Sequence, residues 1–246
     1  SVACQPLIDS AGVECLFYKR IHCVFSIMND MSFVDPNQFI ITRKRKKYKF
    51  ALFANSPLCF ECHEWQRCPI DVVEVGAGTG LFSVELAARW PAQQFLAVDV
   101  KGDRLQKGAW EAERRGLTNV RFVRARADQL GQLIMAGSAR QLWVTFPDPF
   151  PRPHSQGRRL MHQRFLAIYR QLLRPDGELL LKHDDHDFFC WSLEQLVAAG
   201  WRLQELVFDL HESERFDEQS DARIMTTYEQ RWVGEGKAIG FVRART

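Results

Sequence analysis

The sequence predicts an α/β fold in which a mostly parallel, seven-stranded sheet carries helices on both faces. Two observations predict it. From residue 70 onward, apolar runs of strand length alternate with amphipathic segments of helix length, the order of repeated strand–helix–strand units. The runs are also continuously apolar, as strands buried on both faces must be.

Strands are predicted at Asp71–Val75, Phe95–Asp99, Val120–Arg124, Gln141–Phe146 and Gly177–Lys182. Helices are predicted between and after them, over residues 80–91, 102–115, 158–173 and 186–199. The punctuation agrees. Gly116 and Gly200 each follow a helix, and Pro175-Asp176-Gly177 makes a turn. Two more strands, Leu203–Asp209 and Ile239–Arg243, flank a polar stretch over 210–226. That stretch is too long for a plain turn and is read as either disordered or a functional loop.

Within residues 1–34, the first 30 show no clean period and no caps. The whole segment is expected to be an N-terminal extension, disordered or foreign to the native product, ahead of a domain spanning 35–246. The apolar run over 16–28 contains Lys19, Arg20 and His22, and it is too short and too charged to span a bilayer. Six of the seven cysteines precede the first predicted strand, and no secretory signal is visible. A reducing, cytoplasmic setting without disulfides is expected. Cys59-x2-Cys62 with His63 and Cys68 has the spacing of half a zinc site, but no second ligand pair follows, so no metal is expected. The cluster His183, Asp184, Asp185 and His186 is likewise read as a substrate loop rather than a metal site.

A net charge of +3 selects no partner, but its distribution does. Arg43, Lys44, Arg45, Lys46, Lys47 and Lys49 form one basic block, followed by an aromatic stretch at Tyr48, Phe50, Phe53 and Phe60. Arg152, His154, Arg158, Arg159, His162 and Arg164 form another. Such blocks are electrostatic footprints for phosphate when they share a face.

The sharpest local signal is Glu74-Val75-Gly76-Ala77-Gly78-Thr79-Gly80-Leu81, at a strand end and a helix start. Glycines there permit a tight turn and close backbone approach to a ligand. A dinucleotide fingerprint places glycine at the first, third and sixth positions; here Leu81 holds the sixth. The pattern favours S-adenosylmethionine, and a nicotinamide oxidoreductase is disfavoured. Asp99 ends the next strand about 20 residues on, where a carboxylate accepts hydrogen bonds from ribose hydroxyls. Ala127 and Asp128, after the third strand, are candidate neighbours of the adenine.

The fourth strand empties into Phe146-Pro147-Asp148-Pro149-Phe150-Pro151-Arg152. Prolines stiffen this loop, and ligands of open α/β sheets bind beyond the strands' carboxyl ends. A rigid carboxylate, Asp148, beside an aromatic ring suits a planar base with adjacent N–H donors, as guanine has.

Phe146-Pro147-Asp148-Pro149-Phe150-Pro151 followed by Arg158-Arg159-Leu160 resembles the F-P-D-P-W-P…R-R-L signature of the bacterial tRNA (guanine-N7)-methyltransferase family. Thr226-Thr227-Tyr228-Glu229 resembles its T-x-Y-E motif, and Lys182-His183-Asp184 its K-T-D. Lys47-Tyr48-Lys49 with Phe50 and Phe53 resembles its N-terminal entry segment. The resemblance implies a Rossmann-like class I methyltransferase that uses S-adenosylmethionine to modify a guanosine of the tRNA variable loop. It implies cofactor positions at Glu74, Gly76, Gly78, Asp99 and Ala127. It implies substrate positions at Asp148, Arg152, Asp184, Thr226, Tyr228 and Glu229, with Asp148, Glu229 and Thr226 carrying the catalysis. A monomer or homodimer with tRNA as its partner is expected.

Four residues depart from the pattern: Phe150 for Trp, Arg126 for an acidic residue or Asn, His183 for Thr, and Gly157 for a basic residue. They leave open a tRNA-binding scaffold of weakened activity. A methyltransferase of adenine or of a protein amide is the other alternative. Such enzymes place an aromatic directly after two prolines, whereas here Asp148 separates Pro147 from Pro149.

Overall fold

Eight strands make up the sheet of the computed structural model, which describes residues 33–246 apart from Thr42. They are β1 (Cys59–Glu61), β2 (Val72–Val75), β3 (Phe95–Asp99), β4 (Val120–Arg124), β5 (Ala139–Thr145), β6 (Leu173–His183), β7 (Arg202–Val207) and β8 (Gly240–Arg245). Their order is β1-β4-β3-β2-β5-β6-β8-β7. Pairing is parallel from β1 through to β6, and β8 runs antiparallel to both β6 and β7. Seven of the strands are those expected. The eighth, β1, is a three-residue addition on the edge of β4. The expectation for residues 1–34 falls almost wholly outside the described residues.

The helices are α1 (Lys44–Asn55), α2 (Leu81–Arg89), α3 (Gly102–Arg114), α4 (Leu130–Leu133), α5 (Gln163–Leu172), α6 (His186–Ala198) and α7 (Thr227–Gly234). The predicted helix over 158–173 begins later, at Gln163. Pro153–Arg158 is a separate 3-10 turn, because His162 caps α5 by accepting from the Arg164 N–H. Pro175-Asp176-Gly177 does not end a turn between elements. It lies inside β6 and bulges out where the register with β5 jumps from Leu173 to Glu178.

One face of the sheet packs Phe53, Phe82, Leu105, Phe122, Trp143 and Phe241 into a continuous core. The polar stretch over 210–226 extends that same core through Leu210, Phe216, Ala222 and Ile224, all buried. It is thus a folded loop rather than a disordered one. Arg223 fastens it, donating to the carbonyls of His211, Ser213 and Phe216 at 2.7–3.2 Å. A stretch so polar stays ordered because its carbonyls have a partly buried cation to meet. No described helix is long and apolar enough to cross a membrane.

Strand order reverses around β2, which pairs with β3 on one side and β5 on the other. Such a reversal opens a crevice at the strands' carboxyl ends. Gly108 lets α3 press against the turn that forms one wall: a Cβ there would stand 2.5 Å from Thr79 O and 2.7 Å from the Phe122 ring. Gly108→Ala is expected to lower stability by about 1–3 kcal/mol, read as a lower denaturant midpoint at unchanged slope. An unaltered midpoint would contradict this packing.

Candidate functional site

The β2–α2 turn holds Gly76, Gly78 and Gly80 at φ 75°, 56° and 71°, the left-handed region that other residues avoid. Gly80 must be bare, since a Cβ would lie 2.6 Å from the Phe122 ring. At Gly78 a Cβ would meet nothing within 4 Å, so the turn faces open space there. Asp99, at the end of β3, closes the turn from the other side. Its Oδ2 accepts from the Gly78 N–H (2.9 Å) and its Oδ1 from the Lys101 N–H (2.8 Å). Burial pushes the Asp99 pKa up, against the pull of those two bonds. Beside it, Val100 presents an apolar side chain that is half exposed. Open space over a glycine, an apolar wall and a strand-end carboxylate are the parts a nucleoside-bearing methyl donor requires.

Glu74 lies beneath the turn and is fully buried. Its Oε2 accepts from Ser83 Oγ (2.6 Å) and Ser83 N–H (3.2 Å), and its Oε1 from Thr145 Oγ1 (2.7 Å). It therefore joins the start of α2 to the end of β5. Burial drives its pKa up to about 7. Ala127 opens a 3-10 turn after β4, which Arg126 steadies by pairing with Asp128 at 2.9 Å. The departure at Arg126 thus makes a local ion pair on the surface.

Beyond β5 the backbone turns sharply. Phe146 (φ 49°) and Phe150 (φ 41°) are the two non-glycine residues of positive φ among the described residues. Asp148 lies between them, exposed. Asp184 is partly exposed and paired with Lys237 at 3.4 Å, while Arg152 projects into solvent. Tyr228, largely exposed, stands 6.5 Å from the Phe146 ring and 5.6 Å from that of Trp232. These residues place a carboxylate and aromatic faces on the same rim.

Glu229 and Thr226, expected among the substrate and catalytic positions, bond to the protein itself. Glu229 is wholly buried. Its Oε2 accepts from Lys182 Nζ (2.6 Å) and the Thr226 N–H (3.2 Å), and its Oε1 meets His211 Nε2 at 2.9 Å. Thr226 Oγ1 in turn accepts from the Glu229 N–H at 3.0 Å. Threonine and glutamate three apart form a capping box at the start of α7, a signature visible in the sequence but not used there. Lys182 also donates to the carbonyls of Ala222 and Ile224 at 2.9 Å each. Burial pulls the lysine pKa down, opposed by the Glu229 carboxylate.

The basic blocks divide. Arg45, Lys46 and Lys49 are exposed on α1, with Lys46 and Arg124 lying over the Phe50 ring. Arg152, His154, Arg158 and Arg164 are exposed, but Arg159 is buried, its guanidinium stacked 4.4 Å from Trp191. Cys59 is buried in β1, which pushes its thiol up to about 12, and Cys68 pairs by backbone with Ile134.

These features define a Rossmann-like methyltransferase. Residues 69–242 match a family model described as a putative methyltransferase. The chain is 34% identical to the tRNA (guanine-N(7)-)-methyltransferase of Cytophaga hutchinsonii, over 70% of this chain and 78% of that protein. It is 32% identical to the enzyme of that name from Brevibacillus brevis, over 80% and 91%. Among solved structures, the 16S rRNA methyltransferase KamB shares the fold, with a TM-score of 0.53 at 17% identity over 73% of this chain and 88% of that one. An antibiotic-related methyltransferase matches at a TM-score of 0.52 and 16% identity, over 75% and 89%. The chain belongs to the tRNA (guanine-N7)-methyltransferase family.

Glu74 gives a pH test. Because burial raises its pKa, its contribution to stability is fullest below about 4.5, the ordinary value, and is lost as pH rises through about 7. Glu74→Gln removes that dependence. Relative to the parent, the variant should gain about 3 kcal/mol between pH 4.5 and pH 8, measured by denaturant unfolding at each pH. A constant difference across that range would show that Glu74 does not carry the charge burial described.

Proposed function

We propose that this chain transfers a methyl group from S-adenosylmethionine to N7 of a guanosine in the variable loop of tRNA, through a domain spanning residues 35–246. The observation that carries the reading is the placing of Asp148. It stands exposed between two left-handed residues, beyond the strand that follows the glycine turn and Asp99 in the sheet. The names of the relatives supply the substrate class.

The residues at the strand ends fit the donor. Gly78, with open space over it, leaves room for its methionine portion, Gly76 shapes the turn against the Leu160 side chain, and Asp99 offers carboxylate oxygens to ribose hydroxyls. Val100 and Ala127 flank the place of the adenine. Bound there, S-adenosylmethionine supplies a methyl group already activated by a sulfonium. Asp148 then accepts from the guanine N1–H and N2–H, turning N7 toward the donor side. The N7 lone pair needs no deprotonation, so the protein has no base to provide. Its work is orientation, which alone contributes on the order of 7–11 kcal/mol in well-aligned reactions. Positive charge develops on the imidazole ring, and fixed carboxylates stabilise it. Phe146 and Tyr228 give the base aromatic faces. Glu229 and Thr226 act one step back, by setting α7, and Asp184 and Arg152 line the rim where the RNA backbone arrives.

The test is incubation with labelled S-adenosylmethionine and unmodified tRNA, then digestion and identification of the labelled nucleoside. The label should appear in 7-methylguanosine. Asp148→Ala should lower turnover by about 100-fold or more, as loss of an orienting contact does, with the dissociation constant for S-adenosylmethionine within twofold. Label in another nucleoside would refute the proposal. Near-normal turnover by Asp148→Ala would refute the role of that residue.

A further inference from the structure

The loop that carries Asp148 is held in a conformation its own sequence disfavours. Phe146 and Phe150 are bulky residues at positive φ, a combination that persists only where the surroundings over-determine it. Two side chains outside the loop reach its carbonyls. His183 Nε2 lies 2.9 Å from Pro147 O, and Arg159 Nη2 donates to Phe150 O at 3.2 Å. These are the carbonyls on either side of the Asp148–Pro149 pair.

The histidine tautomer is fixed by the backbone. His183 Nδ1 accepts from the Asp185 N–H at 2.8 Å. An amide can only donate, so Nδ1 carries no proton, and the proton of the neutral ring sits on Nε2. The Nε2–H therefore donates to Pro147 O. The ring is 3% exposed, and burial lowers its pKa, which agrees with a neutral imidazole. Asp184 Oδ1, 3.8 Å from Nδ1, lies beyond hydrogen-bond range.

Both donors rest on one aromatic shelf. The His183 ring packs 4.4 Å from the Phe188 ring, and the Arg159 guanidinium lies 5.8 Å from Phe188 and 4.4 Å from Trp191. Arg159 is itself 7% exposed. Phe188 and Trp191 belong to α6, whose first turn is capped by Asp185 accepting from the Phe188 N–H at 2.8 Å. The same short segment thus fixes the histidine tautomer, starts the helix and sets the shelf.

We infer that His183 and Arg159 are positioning residues that clamp the Asp148 loop by its two flanking carbonyls, and that His183 in this chain does so as an Nε2–H donor. This rests on the proposed role of Asp148. It gives functions to a residue that departs from the family pattern and to one that reads as surface charge.

The test uses the full chain with three substitutions at His183. His183→Phe keeps the ring on Phe188 and removes the donor. His183→Gln places an amide N–H near the position of Nε2. His183→Asn places an amide near Nδ1 instead. For His183→Phe, kcat on tRNA should fall by about 10- to 100-fold, the scale of a small misplacement of a reacting group. Its dissociation constant for S-adenosylmethionine should stay within twofold of the parent. His183→Gln should recover most of that loss and His183→Asn should not. Arg159→Lys, which lacks the planar fork, should lower kcat in the same way. His183→Phe turning over at the parental rate would overturn the clamp, as would equal losses in His183→Phe and His183→Gln. If Asp148→Ala is inactive in either case, the clamp alone has failed. An active Asp148→Ala would instead locate the failure in the reading of Asp148.

Discussion

The buried ammonium of Lys182 ties the 210–226 loop and the start of α7 to the sheet. The lysine follows Leu179, Leu180 and Leu181 near the end of β6 and has no exposed surface. Taking a charge out of water costs several kcal/mol unless it is paired and its protons are all satisfied. Here they are, by Glu229 and by the carbonyls of Ala222 and Ile224. Those three acceptors come from a polar loop and from the start of α7. Both segments also lay apolar side chains on the core, Leu210, Phe216 and Ile224 from the loop and Trp232 and Val233 from α7, and the lysine ties them to the end of β6. Through α7 it also decides where Tyr228 stands relative to Phe146.

Glu74, Asp99, Glu229 and Asp148 are four carboxylates whose surroundings give them different work. Glu74 is enclosed by Ser83 and Thr145 and joins β5 to the glycine turn. Asp99 is partly buried at a strand end and faces that turn. Glu229 is sealed against Lys182. Asp148 alone of the four is exposed, which leaves it able to meet a base. Chemistry that needs no proton abstraction fits such an arrangement: Glu74 and Glu229 build the frame, and in the proposed reading Asp99 meets the donor and Asp148 the base.

Much of this was legible in the sequence. The strands from β2 onward lie within a few residues of their predicted places, because continuous apolar runs bounded by glycine have few other readings. The glycine turn and Asp99 were equally plain, since their chemistry depends on local spacing. What escaped had physical reasons. Helix α1 carries Arg45, Lys46 and Lys47 in its first turn, cations set against the helix dipole, and its N-cap Arg43 makes no side-chain cap. It forms because Ala51 and Phe53 are buried beneath it. β1 is too short to show a period. Arg159 looked like surface charge because nothing local announces that Trp191 and Phe188 will stack on it. The structural part that Glu229 plays is hidden because T-x-Y-E resembles a substrate motif, while threonine and glutamate three apart also spell a capping box. A lysine closing a run of buried leucines was the unused hint that a buried acid waited elsewhere.

The most direct test of the central claim is a double-mutant cycle on Lys182→Met and Glu229→Gln, read by equilibrium unfolding. Each single change should cost about 3–5 kcal/mol, since it strands a buried charge. The double variant should lose far less than the sum, because no uncompensated charge remains. Additive losses would mean that the two residues act separately, and that something other than their pairing holds the loop and α7 against the sheet.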